Sequence, residues 1–279
     1  MDYEPPKIDT KRIQGRLSVA LMTFTEPPSE DRLVSDLRGA VDRGEIVAFY
    51  QPQIDVGTGA IVGVETLARW FHPELGLQSP LTFIPIAEEF GMIDDLGSFM
   101  IDDACAYATE LARRGISIDI AVNVSALQLA APHFFKNLED CLDEAQLRPG
   151  ALTLEITESR FIVNRPAVAE RLKKLRDRGV SVSIDDFGVG HSSVEQVLAL
   201  PANELKIDRT VVQDESATNG MLMAIIVKLV SERGLRTVAE GVETEEQLQR
   251  VRELGCDRAQ GFLIGQPMPR ADFELLLAS

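Results

Sequence analysis

The chain has 279 residues, with 28 Lys and Arg against 44 Asp and Glu, a formal net charge of −16. So acidic a balance excludes polymeric nucleic acid and anionic membrane surfaces as general partners, because both demand clustered cationic side chains. A 45% hydrophobic content supports an ordinary core, and the apolar run over 221–227 falls far short of the ~20 residues of a membrane helix. Cys105, Cys141 and Cys256 form no C-x-x-C pair, which predicts a soluble chain in a reducing cytoplasm.

Residues 1–30, with Pro5-Pro6 and Pro27-Pro28, read as a linker or accessory segment ahead of a domain over 31–279. Leu33, Val34, Leu37, Ala40 and Val41 have helical spacing and predict a helix over 31–43. A strand over 46–50, the turn Gly57-Thr58-Gly59 and a second strand over 61–67 follow. A connection that short makes the pair antiparallel. The stretch 83–114 reads as helical, broken near Gly91 and ended by Gly115. Further strands are expected over 116–124, 151–157, 180–185, 204–207, 235–239 and 256–262. Helices are expected over 166–178, 193–200, 217–233, 244–254 and 270–278. Eight strands in about 250 residues, most followed by a helix, match a (β/α)8 barrel. A doubly wound open sheet is the competing architecture. It calls for a Gly-rich phosphate loop after its first strand, and none stands there.

The strand ends carry Glu65, Asn123, Glu155 with Glu158, Asp185-Asp186, Lys206 with Asp208, Glu240 with Glu243, and Gln260. In a parallel barrel such ends meet on one face, where barrel active sites are built. Any one acid is accounted for by a helix N-terminus or a loop ion pair. Together, Glu65, Glu155, Asp185, Asp186 and Glu240 crowd five carboxylates beside Asn123, and like charges that close stay ionised only with cations. Oxygen donors select Mg²⁺ or Mn²⁺, and His72, His133 and His191 lack metal-ligand spacing. Five acids exceed the share one Mg²⁺ usually takes from protein. Two ions are therefore expected, with Asp185-Asp186 as the bridging pair and in-line displacement at phosphorus as the reaction. Lys206 either serves the reacting centre or pairs with one of the acids. The stretch 185–193, with Gly188 and Gly190, reads as a lid over the metals, Ser192 or Ser193 capping the helix behind it.

These residues resemble a known family, the EAL-domain cyclic di-GMP phosphodiesterases, from about residue 31 to the end. The signature stands here as Glu65-Thr66-Leu67 within Glu65-x-Leu67-x-Arg69. Other blocks in order are Tyr50-Gln51-Pro52, Asn123-Val124-Ser125, Glu155-Ile156-Thr157-Glu158 and Asp185-Asp186-Phe187-Gly188. Leu205-Lys206-Ile207-Asp208, Val238-Ala239-Glu240-Gly241-Val242-Glu243 and Gln260-Gly261-Phe262 complete them. The resemblance implies a modified (β/α)8 TIM barrel with an antiparallel first strand. It also implies hydrolysis of cyclic di-GMP to linear pGpG with Mg²⁺ or Mn²⁺, and inhibition by Ca²⁺. Glu65, Asn123, Glu155 and Asp185 would hold one metal. Asp185, Asp186 and Glu240 would serve the second, with Lys206 beside the attacking water. Catalysis would thus fall to Glu240, Lys206 and Glu65. Gln51, Arg69, Asp208 and Gln260 would meet the substrate, Glu158 would anchor the loop after the fifth strand, and Glu243 with Gln260 would support the site. A homodimer is implied as well.

Four positions depart from the family pattern. Thr66 replaces Ala and is expected to point away from the ligands. Val189 and His191 alter the loop. Asn203 replaces Asp, which is expected to weaken the second-metal region. These departures leave an alternative, a degenerate domain that senses cyclic di-GMP without cleaving it. An enolase-type barrel is a third reading, which needs fewer acids and leaves the ordered blocks unexplained.

Overall fold

The first hairpin sets the architecture. Helix α1 (Glu30–Leu37) leads into strands β1 (Ile46–Asp55) and β2 (Ile61–His72), which pair antiparallel from Ile46↔Trp70 to Ile54↔Ile61. Their turn is tight because Asp55 Oδ1 accepts the Thr58 N–H at 2.7 Å while Gly59 takes φ +74°. The structure is a computed structural model that describes residues 29–157, 165–188, 201–214 and 216–279. The expected helix over 31–43 stops at Leu37, because Arg38 turns extended and Gly39 and Gly44 adopt positive φ.

After a short β3 (Gly76–Gln78), α2 (Pro80–Glu89) and α3 (Ile93–Arg113) flank Gly91 at φ +69°. The chain then alternates through β4 (Asp119–Val124), α4 (Ala126–Ala130), α5 (Pro132–Ala145), β5 (Leu152–Thr157), α6 (Arg165–Asp177), β6 (Ser181–Phe187) and β7 (Glu204–Ile207). It closes with α7 (Arg209–Gln213), α8 (Ala217–Glu232), β8 (Arg236–Ala239), α9 (Glu245–Glu253), β9 (Arg258–Gln260), β10 (Met268–Pro269) and α10 (Arg270–Leu277). Side chains start several of these helices. Ser125 with Gln128 and Thr244 with Gln247 form capping boxes, and the Asp208 side chain accepts from the Thr210 N–H.

Strands β2, β4, β5, β6, β7, β8 and β9 run parallel in that order, and β1 pairs antiparallel with both β2 and β9. The result is a closed, eight-stranded mixed barrel wrapped by helices, the modified TIM barrel expected, with an antiparallel first strand. The main apolar core lies between strands and helices, through Val64, Ile120, Leu154, Ile184, Leu205, Leu138 and Phe273. A second core under α1 gathers Leu33, Leu37, Trp70, Phe83 and Leu96. Burying a large side chain there contributes roughly 1.5–3 kcal/mol.

The barrel interior is polar. At the amino ends of the strands, Asp119 binds Arg148, Arg236 and Arg258, and Arg236 also holds Glu204. Asn203 belongs to this end. Its Oδ1 accepts the Val182 N–H at 3.1 Å, and Lys206 stands three residues further along the strand. About 10 Å of strand thus separates Asn203 from Lys206. The expected helix over 193–200 and the lid residues 189–193 lie outside the described residues.

Candidate active site

Because side chains alternate along a strand, Glu65, Glu155, Asp185 and Lys206 all face the barrel interior near the carboxyl ends. Lys206 is 1% exposed. Its Nζ lies 2.7 Å from both Glu155 Oε2 and Glu240 Oε1, and 3.4 Å from Glu65 and Asp185. Asn123 Nδ2 donates to Glu65 Oε1 at 2.6 Å and Gln260 Nε2 to Glu65 Oε2 at 2.6 Å. Gln260 in turn donates to Gln51 Oε1 and accepts from Gln53 Nε2, tying β9 to β1 and β2.

One ammonium cannot neutralise so many acids, and the site's proton affinities follow from that. Burial, reinforced by Glu65 and Asp185, pushes the Glu155 carboxyl well above the usual range. Burial lifts Glu240 to about 8, with Asp185 and Glu65 adding to the effect. Burial also raises Asp185 and Asp186. Glu65 goes the other way: burial alone would raise it, but Lys206, Gln260 and Asn123 hold it below the ordinary value. For Lys206, burial is outweighed by Asp185, Glu155, Glu240 and Glu65, so it stays charged.

Oxygen atoms of Asp185, Asp186 and Glu240 lie within 4.8 Å of one another. Asp186 reaches that position with φ 60°, a left-handed conformation uncommon outside glycine. Its N–H donates to Asp185 Oδ1 at 2.9 Å, which locks the paired acids in a tight bend. Glu155 Oε1 is buried and has no hydrogen-bond partner among the described residues. Hard oxygen donors, an excess of acid over base and an orphaned carboxylate oxygen together fit a divalent cation.

The remaining expected residues are spread around this centre. Gln51 spends both ends of its amide, accepting from Gln260 and donating to Gly265 O at 3.0 Å. Arg69 is half-buried, with its guanidinium 5.6 Å from the Phe49 ring. Asp208 caps α7 with one oxygen and lines a cleft with Gln51, Glu65, Glu240, Glu243 and Gln260. Gly188 turns at φ +114°, and a Cβ there would come within 2.4 Å of Val211. Thr66 points away from the ligands and donates to Ala121 O. Glu158, Gly190, Val189 and His191 lie outside the described residues.

Two features escaped the sequence reading. Phe262, 58% exposed, stands beside Gly261 on the rim of that cleft. An apolar pocket of about 490 Å³, lined by Leu67, Leu81, Ile84, Leu96 and Met100, opens onto Glu65, Asn123 and Asp186. The aromatic after Gln260-Gly261 was a usable signal for the first. The pocket had none, since its walls come from elements far apart in the chain.

Comparison with known proteins places these blocks in context. The EAL domain family model matches residues 34–267. The chain is 41% identical over 251 residues to the bifunctional diguanylate cyclase/cyclic di-GMP phosphodiesterase MucR of Pseudomonas aeruginosa, covering 89% of this chain and 36% of the relative. It is 36% identical over 242 residues to the cyclic di-GMP phosphodiesterase RocR of the same organism, covering 86% and 62%. The chain thus spans from about a third to three-fifths of the length of these curated relatives. Among solved structures, a PaMucR phosphodiesterase–c-di-GMP complex is similar with a TM-score of 0.82 at 40% identity, over 87% of this chain and 99% of the other.

Proposed function

The chain belongs to the EAL domain family, and on that basis we propose that it is a cyclic di-GMP phosphodiesterase that opens one phosphodiester to give linear pGpG. The observation that carries the reading is the interior cluster in which Lys206 meets Glu65, Glu155, Asp185 and Glu240 at the mouth of the barrel. Glu65, Asn123, Glu155, Asp185, Asp186 and Glu240 would hold two ions, Mg²⁺ or Mn²⁺, with Asp185 shared. When bound, such cations supply positive charge to the phosphoryl oxygens and make water more acidic. Glu240 accepts a proton from the attacking water, and Lys206, 2.7 Å away, keeps that carboxylate oriented. The water oxygen bonds to phosphorus, and the ribose 3′ oxygen leaves and takes up a proton. Arg69 offers charge-assisted hydrogen bonds to a phosphate. Gln51, Asp208 and Gln260 shape the substrate cleft and Glu243 borders it, and Glu158, Gly188 and Gly190 would take supporting roles. Phe262 and the apolar pocket beside Leu67 suit the two flat guanine bases.

The same proposal takes 31–279 as the catalytic domain, 1–30 as a linker or accessory segment, a homodimer as the working assembly, and a reducing cytoplasm as the setting for three free cysteines. Purified protein is incubated with cyclic di-GMP and Mg²⁺ or Mn²⁺, and the products are separated by chromatography. Accumulation of pGpG that disappears in Glu65→Ala is the expected result. Tight nucleotide binding without turnover, with both metals and at several protein concentrations, would make the chain a sensor instead.

A further inference from the structure

Ser183 occupies the middle of β6 and is fully buried. It stands in register with Glu155 on β5 and with Glu204 on β7, so its side chain shares the barrel interior with both. Ser183 Oγ and Glu155 Oε1 are both buried, and neither has a hydrogen-bond partner among the described residues. Both groups demand one, since a polar atom taken out of water without a partner is strongly disfavoured. Neighbouring acceptors already carry cations: Glu155 Oε2 takes the Lys206 ammonium at 2.7 Å, and Glu204 Oε2 takes Arg236 Nε at 2.6 Å.

Registered positions on neighbouring strands lie about 5 Å apart, a span a serine and a glutamate side chain bridge together. The serine hydroxyl has three staggered positions to choose from, and its single proton suits a carboxylate acceptor.

We propose that Ser183 is a positioning residue: its hydroxyl donates to Glu155 Oε1 and fixes the orientation of that carboxylate toward the metal centre. A carboxylate oxygen has two lone-pair directions, so the bond to Ser183 leaves one free for a cation. The serine therefore acts through Glu155, as the outer partners of metal ligands do. No element of the family signature draws attention to it, since it lies two residues before Asp185 and carries no charge. The inference rests on the proposed metal site but not on the identity of the substrate.

The test compares the unaltered chain with Ser183→Ala and Ser183→Cys. Cysteine nearly keeps the side chain's shape but is a weak donor. Free Mn²⁺ is followed by electron paramagnetic resonance as each protein is titrated, and the metal-free proteins are melted in EDTA. Mn²⁺ affinity should fall roughly tenfold in both variants, with metal-free melting temperatures within about 2 °C of the parent. Saturating Mn²⁺ should then restore turnover with an unchanged KM for cyclic di-GMP. Unchanged Mn²⁺ affinity in both variants overturns the inference. So does a loss of melting temperature with affinity intact, which would assign the hydroxyl to Glu204 and the ion network below. Failure of the parent chain to bind Mn²⁺ overturns it too. Serine-dependent Mn²⁺ binding without hydrolysis of cyclic di-GMP would uphold the inference and sink the functional reading alone.

Discussion

Lys206 is the residue on which the site's electrostatics turn, because one buried ammonium sits within 3.4 Å of four carboxylates. Removing one partner from a buried ionic cluster leaves uncompensated charge and costs about 3–5 kcal/mol. Lys206→Met keeps the stem's volume and should lower the melting temperature measured in EDTA. It should also cut turnover by at least about a hundredfold. Mn²⁺ should recover much of the lost stability but not the turnover. A variant as stable as the parent in EDTA would mean that the acids discharge themselves by protonation. The acids around Lys206 were legible in the sequence, because a carboxylate at the end of an apolar strand is a conspicuous break in pattern. That Lys206 meets four of them, and that Gln53 joins the network through Gln260, was not. Those contacts depend on strand stagger, which fixes the depth of each side chain in the barrel and leaves no mark on spacing.

At the scale of elements, the order and direction of the strands were readable, because the short turn at 57–59 forces β1 and β2 antiparallel. Their lengths were not. Strand pairing continues through Pro52 and Gln53, past a bulge before Ile54, and through Ala68 to His72, where Gln51, Gln53, Arg69 and His72 look like loop. Helix ends depended on glycine, and one glycine links an element to the chemistry. Gly241 follows Glu240 at φ +64°, and a Cβ there would stand 2.3 Å from Arg209 Cβ and 3.2 Å from its Cα. Gly241→Ala therefore combines backbone strain with overpacking, about 1–3 kcal/mol, and displaces Glu240. Gly255, at φ +82° with nothing within 4 Å of an added Cβ, is the matched control. Turnover should fall at least about tenfold in Gly241→Ala and stay within about twofold in Gly255→Ala, measured under saturating metal. Equal losses in the two would mean that only general stability is at stake.

Over the whole molecule, the −16 charge is unevenly used: the floor of the barrel is balanced and the mouth is not. At the floor, burial alone would raise Asp119, but Arg258, Arg148 and Arg236 hold it below the usual carboxylate range. Its folded pKa therefore lies below its unfolded one. The stability it contributes is complete above about pH 4 and is lost as pH falls through the folded pKa. Asp119→Asn should cost about 3 kcal/mol at neutral pH and flatten the acid limb of a denaturant-based stability profile. A limb of unchanged steepness would assign acid sensitivity to other carboxylates. At the mouth, Glu65, Glu155, Asp185, Asp186 and Glu240 crowd around Lys206, an excess of acid that repels a dianionic dinucleotide. The two divalent ions proposed would bring four positive charges and offset that excess, so metal loading and nucleotide affinity should be coupled. Calorimetric titration with cyclic di-GMP, using Ca²⁺ to hold the site loaded while suppressing turnover, should give an affinity at least about tenfold above that in EDTA. The same affinity in both would locate binding in the apolar pocket beside Leu67 and at Phe262 rather than in the field of the ions.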